Sequence, residues 1–408
     1  MKHSILVAAA LLAATPCASF SLDWPRYRGA NYDGISVEKN WLGAWPEGQP
    51  RPLWKATVGI GFSSMSIASG RLYTMGNSAK QDTVYCLDAA SGKQIWKHSY
   101  AQELDAKYYE GGPGATPTVD GPHVYTLARH GAVHCLNAAT GQVVWTRDIH
   151  KDFGCEIPDW GFNGSVHIEN DLAILNAGNA GLALNKSTGE KVWLSGKEAA
   201  GYGTPVPFAT GGKRAIALFT AKYVVAVEPR TGGEYWRHPW KTNYDVNAAD
   251  PAVTGNRMYV SSGYGTGGAV IDFTDNKPKQ VWFNKEIKAQ MASPIVVGNY
   301  VYGIDGTGGD KNSHLKCLDL STGKVAWISP AATTGNLTIA DGRIIWLTGG
   351  GEVIVVEAKP DGYKELARAQ VSGGKHWSAP VLSNGRLYLR NAKGDLVCVD
   401  VKGSPSAI

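Results

Sequence analysis

The stretch Cys86-Leu87-Asp88-Ala89-Ala90-Ser91-Gly92-Lys93-Gln94-Ile95-Trp96, CLDAASGKQIW, brings a thiol, an acid and an indole into eleven residues. Such a set suggests chemistry until the rest of the chain is read. The same pattern returns as CLNAATGQVVW (135–145), ALNKSTGEKVW (183–193), AVEPRTGGEYW (226–236) and CLDLSTGKVAW (317–327). Looser copies are VIDFTDNKPKQVW (270–282), VVEAKPDGYKEL (355–366) and CVDVKG (398–403). Trp96 to Trp145 is 49 residues, and the next steps, to Trp193, Trp236, Trp282 and Trp327, are 48, 43, 46 and 45. A period near 45 residues marks a repeat architecture.

Each copy follows two further strand-like runs. In the second unit TPTVDG leads to HVYTLARHG, then AVHCLNAATG, then QVVW. Four short alternating strands per unit predict one propeller blade, and a blade must pack on neighbours around an axis to bury both faces. The last copy, CVDVKG, stops before its Trp strand, while Pro52-Leu53-Trp54-Lys55-Ala56-Thr57-Val58 stands unclaimed ahead of the first unit. The prediction is an all-β, single-domain, eight-bladed propeller over 22–408 whose N-terminal strand completes the last blade and hides its edges. Seven blades is the alternative, because Leu366 stands where the seventh unit should have Trp.

The motif positions have structural reasons. The first is small (Cys86, Cys135, Ala183, Ala226, Cys317, Cys398) or Val. The third is an acid or amide, such as Asp88, Asn137 or Glu228, suited to accept turn N–H groups. Gly92, Gly141, Gly189, Gly232 and Gly323 suit the positive φ of a hairpin. The Trp offers a broad ring to the next blade. Equivalent positions on neighbouring sheets lie about 10 Å apart, beyond disulfide reach, so the repeat cysteines read as small core residues. Cys155, in a loop, reads as a sheltered thiol or as a reactive or intermolecular one.

At these residues the chain resembles the PQQ-type repeat and its tryptophan-docking motif Ala-x-Asp-x-x-x-Gly-Lys-x-x-Trp. That repeat occurs in quinoprotein alcohol dehydrogenases and in the propeller lipoprotein of the outer-membrane β-barrel assembly machinery. Asp23-Trp24-Pro25-Arg26-Tyr27-Arg28-Gly29, Asp341-Gly342-Arg343 and Gly385-Arg386-Leu387-Tyr388 are similar to exported bacterial PQQ-like propellers. The likeness implies the fold over nearly all of 22–408. It does not imply one activity, since one architecture hosts many.

Lys2 and His3 precede the apolar run from Ile5 to Ala14, with small residues up to Ser21. This predicts a signal peptide over 1–21, cleaved between Ala18 and Ser21, and a periplasmic or secreted protein. The run is too short to span a bilayer, and Pro16 before Cys17 argues against a lipoprotein site. Forty Lys and Arg against 35 Asp and Glu, without a basic block, leave no nucleic-acid footprint. The expected state is a monomer.

Loops leading into each blade, with the turns between second and third strands, should converge over the axis. They offer Trp160, Asn163, Tyr202, Gln290, Asn336, His376 and Trp377, and the cations Arg129, Lys222 and Arg390. This polar and aromatic funnel suits a small anionic or sugar-like ligand, or another envelope protein. Arg129, Lys222 and Arg390 could meet the carboxylates of PQQ. Within YDVNAADP, Asp245 and Asn247 are candidate ligands for Ca²⁺, with Asp250 the candidate base of a PQQ- and Ca-dependent alcohol or sugar dehydrogenase. Asp250 before Pro251 reads equally as a turn residue.

A vicinal Cys pair, a Cys-x-x-Cys-His haem site, a Gly-x-Ser-x-Gly elbow and a P-loop are all missing from the sequence. The sequence therefore favours a ligand-binding or protein-interaction scaffold without haem, ahead of the dehydrogenase. A glycan-active propeller, with Trp160, Tyr202 and Trp377 stacking on sugars, comes third.

Overall fold

In a computed structural model, which describes residues 22–45 and 50–403, the chain forms a ring of eight antiparallel blades. The predicted signal peptide lies outside the described residues. No helix among the described residues is long and apolar enough to cross a membrane.

Seven blades run in sequence, with strands spanning 66–101, 118–148, 167–194, 206–239, 252–284, 295–328 and 336–370. The eighth is built from 381–400 and closed by Pro52–Thr57, which pairs antiparallel with Asp395–Asp400. This registers Trp54 opposite Cys398, as Trp96 stands opposite Cys86 and Trp145 opposite Cys135. Eight blades are thus present, and the seventh unit is a full blade without its Trp. There Ala367, not Leu366, faces Val355, because Leu366 falls in the bulge that each outer strand carries at this point.

The indole N–H groups carry the ring from blade to blade. Trp54 donates to the Ala89 carbonyl at 3.2 Å, Trp96 to Ala138 at 3.0 Å, Trp145 to Lys186 at 2.9 Å and Trp193 to Pro229 at 2.8 Å. Each of these rings also covers the hairpin glycine of the following blade. Gly92 has φ +71°, and a Cβ there would lie 2.5 Å from Cε3 of Trp54. Glycine is needed both for the left-handed backbone and for the ring's approach. Trp236 departs from the rule and donates to Thr210 Oγ1 of its own blade.

The sequence also holds a slot that its Trp spacing conceals. Tyr73, Tyr125, Tyr259, Tyr302 and Tyr388, on second strands, each lie within 6.1 Å of the Trp of their own blade. The hydroxyls of Tyr73 and Tyr388 reach the same carbonyls as the indoles of Trp96 and Trp54. The five described cysteines are free and buried. Cys155 is sheltered with the rest, and burial pushes its thiol pKa up to about 11.

Residues 22–45 form an arm that travels around one end of the central channel. Trp24 pairs with Ile67 of blade 1, the Pro25 carbonyl accepts from Val119 of blade 2, and Tyr32 meets the His167 ring of blade 3 at 4.8 Å. Ile35–Ser36 adds a parallel strand to the inner edge of blade 7. Trp41 then donates to Ala340, and Leu42 to Val401 of blade 8. An arm that covers inner strand edges satisfies backbone groups a bare channel would leave to water.

Candidate functional site

The other end of the channel opens into a cavity of ≈ 360 Å³ at the starts of the inner strands. Its floor lies on a ring built from one residue per blade, Ser64, Thr116, Ser165, Thr204, Asp250, Ser293, Asn336 and Ala379, of which all but Ser293 line the cavity. A main-chain N–H in one blade donates to the side chain at the same place in the next. Ser64 donates to Thr116 at 3.0 Å, Thr116 to Ser165 at 2.9 Å, and Ser165 to Thr204 at 3.1 Å. Thr204 donates to Asp250 Oδ1 at 2.7 Å, and Asp250 to Ser293 at 2.8 Å. The Ser64 hydroxyl closes back on the Ala379 carbonyl at 2.8 Å. Short polar side chains suit this place because they stitch the blades together without filling the channel.

Asp250 is the one ionisable residue of that ring. It is 2% exposed, and its Oδ2 has no hydrogen-bond partner. Burial raises its carboxyl pKa to about 6, against the opposing effects of the nearby Arg28 charge and the Thr204 N–H. Arg28 and Tyr27 come from the arm. Arg28 donates to the main-chain oxygens of Asp33 (3.1 Å), Pro294 (2.9 Å) and Asp250 (3.4 Å). Tyr27 joins the cavity lining beside Asp250.

Aromatic rings make the walls. Phe62 stacks on Trp377 at 4.7 Å, and Tyr109 lies 5.6 Å from Phe62, 6.0 Å from Trp377 and 5.9 Å from Trp160. Tyr108, 90% exposed, caps Trp160 at 5.7 Å, while Tyr202 and Tyr264 also face the cavity. Tyr244 and Asp245, successive residues at φ +69° and +52°, stand outside it, with Tyr244 against Tyr264 at 5.6 Å.

Of the residues singled out in the sequence, Trp160, Asn163, Tyr202, Asp250, Gln290, Asn336 and Trp377 come together around this cavity. The cations do not converge on it. Arg129 lies behind the wall, over the Tyr109 ring at 5.3 Å, paired with Asp105 at 3.1 Å and donating to the Trp160 carbonyl at 3.0 Å. Arg390 is enclosed where the ring closes and donates to Ser63 O, Thr74 Oγ1, Met75 O and Gly59 O. Lys222 extends from an exposed turn. His376 is buried, its Nδ1 held at 3.0 Å by the Gly374 carbonyl, and burial lowers its pKa.

Nor do the candidate metal ligands meet. Asn247 Nδ2 donates to Thr220 and Ala221 carbonyls at 2.9 and 3.0 Å, while its Oδ1 accepts from Ser262 at 2.8 Å. Asp245 is exposed. Among the described residues no three His, Cys, Asp or Glu side chains gather as a metal set. The cavity's aromatic faces could stack on a quinone, but among the described residues no cation lines it to meet three carboxylates, and Asp250 is its one carboxylate, too few anionic oxygens for Ca²⁺. The residues present do not fit that pair.

The sequence reading missed Tyr27, Phe62, Tyr109 and Tyr264. Phe62 and Tyr109 lie in interblade segments whose length varies, Tyr264 lies in the turn between the second and third strands of blade 5, and the arm falls outside the repeat. The ring was visible in part, as TPT, TPV, DPA and SPI at the start of the second, fourth, fifth and sixth units.

The repeat, its eight blades and the strand that closes them define a PQQ-like β-propeller. The chain belongs to the family of the outer membrane protein assembly factor BamB, which it matches over residues 80–329 and again over 311–405. No curated protein matches it in sequence. Among solved structures it is similar to BamB from Moraxella catarrhalis, with TM-score 0.63 and 15% identity, covering 87% of this chain and 98% of that one. A quinohemoprotein alcohol dehydrogenase from Pseudomonas putida HK5 gives TM-score 0.67 and 14% identity, covering 94% and 81%. The quinohemoprotein alcohol dehydrogenase of Comamonas testosteroni gives 0.65 and 14%, again covering 94% and 81%. At such identities the likeness is one of fold.

Proposed function

We infer that this is an exported PQQ-like propeller that acts as a ligand-binding scaffold, holding a compact, flat-faced molecule in the aromatic cavity over its axis. The observation that carries this reading is the lining itself: a wall of aromatic rings around a small polar floor, with no Lys or Arg among the described residues facing inward. Sites for small molecules have this character, a largely apolar concavity with a few fixed polar groups. Sugar-like and aromatic ligands suit it, whereas an anionic ligand would lack a counter-charge. Export rests on the apolar run from Ile5 to Ala14.

The dehydrogenase reading draws support from the similar folds and from a buried acid at the floor, but the geometry favours binding over a calcium-assisted oxidation. The test is a titration of the mature chain, followed by its tryptophan fluorescence, against aromatic and sugar ligands and against PQQ with Ca²⁺. Binding of an uncharged ligand, weakened at least tenfold in Trp377→Ala, is the expected result. Tight PQQ and Ca²⁺ binding with dye reduction on an alcohol panel would overturn it.

A further inference from the structure

The repeat gives no reason for a charge at Asp250. Every other blade fills that place with an uncharged residue, and Asn336 shows that an amide is accepted there. The ring needs only an acceptor for the Thr204 N–H, which Asp250 supplies through Oδ1 at 2.7 Å. The second oxygen therefore does nothing for the architecture. It has no partner, and the residue is 2% exposed on the cavity floor. A buried carboxylate oxygen without a partner is costly, and such groups in native proteins ask for an explanation.

The surrounding charges leave that oxygen unpaired. Arg28, the nearest cation, donates to main-chain oxygens, that of Asp250 included, and forms no ion pair with the carboxylate. Two other cations touch the aromatic walls, Arg129 over Tyr109 and Lys375 over Trp377 at 4.7 Å. Each is neutralised by its own acid, Asp105 at 3.1 Å and Glu110 at 2.8 Å. The lining thus offers π-faces and one carboxylate. Ring faces and a carboxylate both attract positive charge, and a desolvated site strengthens both attractions.

We propose that the cavity is a cage for a small organic cation, an alkyl- or arylalkyl-ammonium whose N–H group donates to the free Oδ2 of Asp250 while its carbon frame lies among Trp160, Tyr202 and Trp377. This rests on the ligand-binding reading and names the ligand's chemistry. The Thr204 hydroxyl, next to Asp250 in the ring and also in the lining, is placed to serve the ammonium as a further acceptor.

The test uses calorimetric titration of the mature chain at pH 8 with three ligands of nearly one shape: phenethylammonium, 2-phenylethanol and 3-phenylpropanoate. Phenethylammonium should bind at least tenfold tighter than the alcohol, and the carboxylate weakest. In Asp250→Asn, which keeps the acceptor for Thr204 and is checked for folding by its thermal melt, that preference should fall to within twofold. Tyr202→Ala should weaken the ammonium and the alcohol together. If the alcohol binds as tightly as the ammonium, or the preference survives Asp250→Asn, the cation cage is wrong while the ligand site stands. If none of the three binds, the cation cage is wrong, and the ligand-binding reading falls with it only if the aromatic and sugar panel also fails to bind.

Discussion

The main-chain N–H of Thr204 reaches Oδ1 of Asp250 at 2.7 Å, across the boundary between blades 4 and 5. One carboxylate oxygen thereby serves the architecture and the other is left for chemistry. The same place carries a hydroxyl in five of the first six blades, at Ser64, Thr116, Ser165, Thr204 and Ser293, where no such second atom exists.

That division has a pH signature. The carboxyl pKa, about 6 folded against an ordinary 3.8, means that the folded state binds the proton more tightly. Ionisation therefore works against folding, and stability from this group falls as pH rises from about 4 to about 6. Above that the penalty is complete, at ~3 kcal/mol if the whole gap is counted. Asp250→Asn should be more stable than the natural chain by ~1–3 kcal/mol at pH 7.5 and indistinguishable from it at pH 4. Urea denaturation at the two pH values checks this, and an equal effect at both would refute the assignment.

Arg390 is expected to matter for stability and not for ligand. Its guanidinium satisfies carbonyls of Gly59, Ser63 and Met75 where the ring closes. Arg390→Leu leaves those acceptors buried without donors and should cost ~2–4 kcal/mol. Affinity per folded molecule should be unchanged. A loss of affinity without a loss of stability would return Arg390 to the binding site.

Two glycines separate backbone strain from packing. Gly141 has φ +74° and a Cβ there would meet Cε3 of Trp96 at 2.6 Å, whereas Gly342 has φ +70° and nothing within 4 Å. Gly342→Ala should therefore cost ~1–2 kcal/mol, the price of a left-handed alanine. Gly141→Ala should cost that and a further ~1–3 kcal/mol for displacing the indole. Equal melting temperatures for the two variants would contradict the ring-on-glycine contact.

The thiols should be silent. Burial raises Cys86 and Cys135 to about 11, as it does Cys155, and raises Cys317 and Cys398 to about 12. A thiol reagent at pH 8 should label none of these five in the native protein and all of them in denaturant. Rapid native labelling of Cys155 would mark it as reactive after all.

Much of this was legible in the sequence because it depends on local, periodic demands. A hairpin that turns through φ > 0 asks for Gly92, an outer strand that must cover its neighbour asks for Trp96, and a turn that needs an acceptor asks for Asp88, which takes the Ser91 N–H at 2.8 Å. Closure could be read because Trp54 and Cys398 are two halves of one interrupted motif. The site was half legible. Loops leading into inner strands must face the axis, which singled out Trp160, Tyr202, Asp250 and Trp377, but residue type does not reveal which polar groups are already engaged. Arg129, Asn247 and Arg390 looked available and are taken up by main-chain carbonyls of distant segments.

CLDAASGKQIW and its copies by themselves determined the blade and the strand that closes the ring, because each repeat meets the same backbone geometry, while the count of eight over seven was decided by the pairing of Ala367 with Val355 in the seventh blade. Only the tertiary structure decided that residues 22–45 occupy one end of the channel, that Tyr27 and Arg28 stand beside Asp250, and that the cavity presents π-faces and one acid instead of a ring of cations. Those outcomes depend on which charges find partners across 30 to 330 residues of chain, as Arg129 does with the Trp160 carbonyl and Arg390 with that of Gly59. Burial and pairing of that kind are properties of the assembled ring and are written in no single repeat.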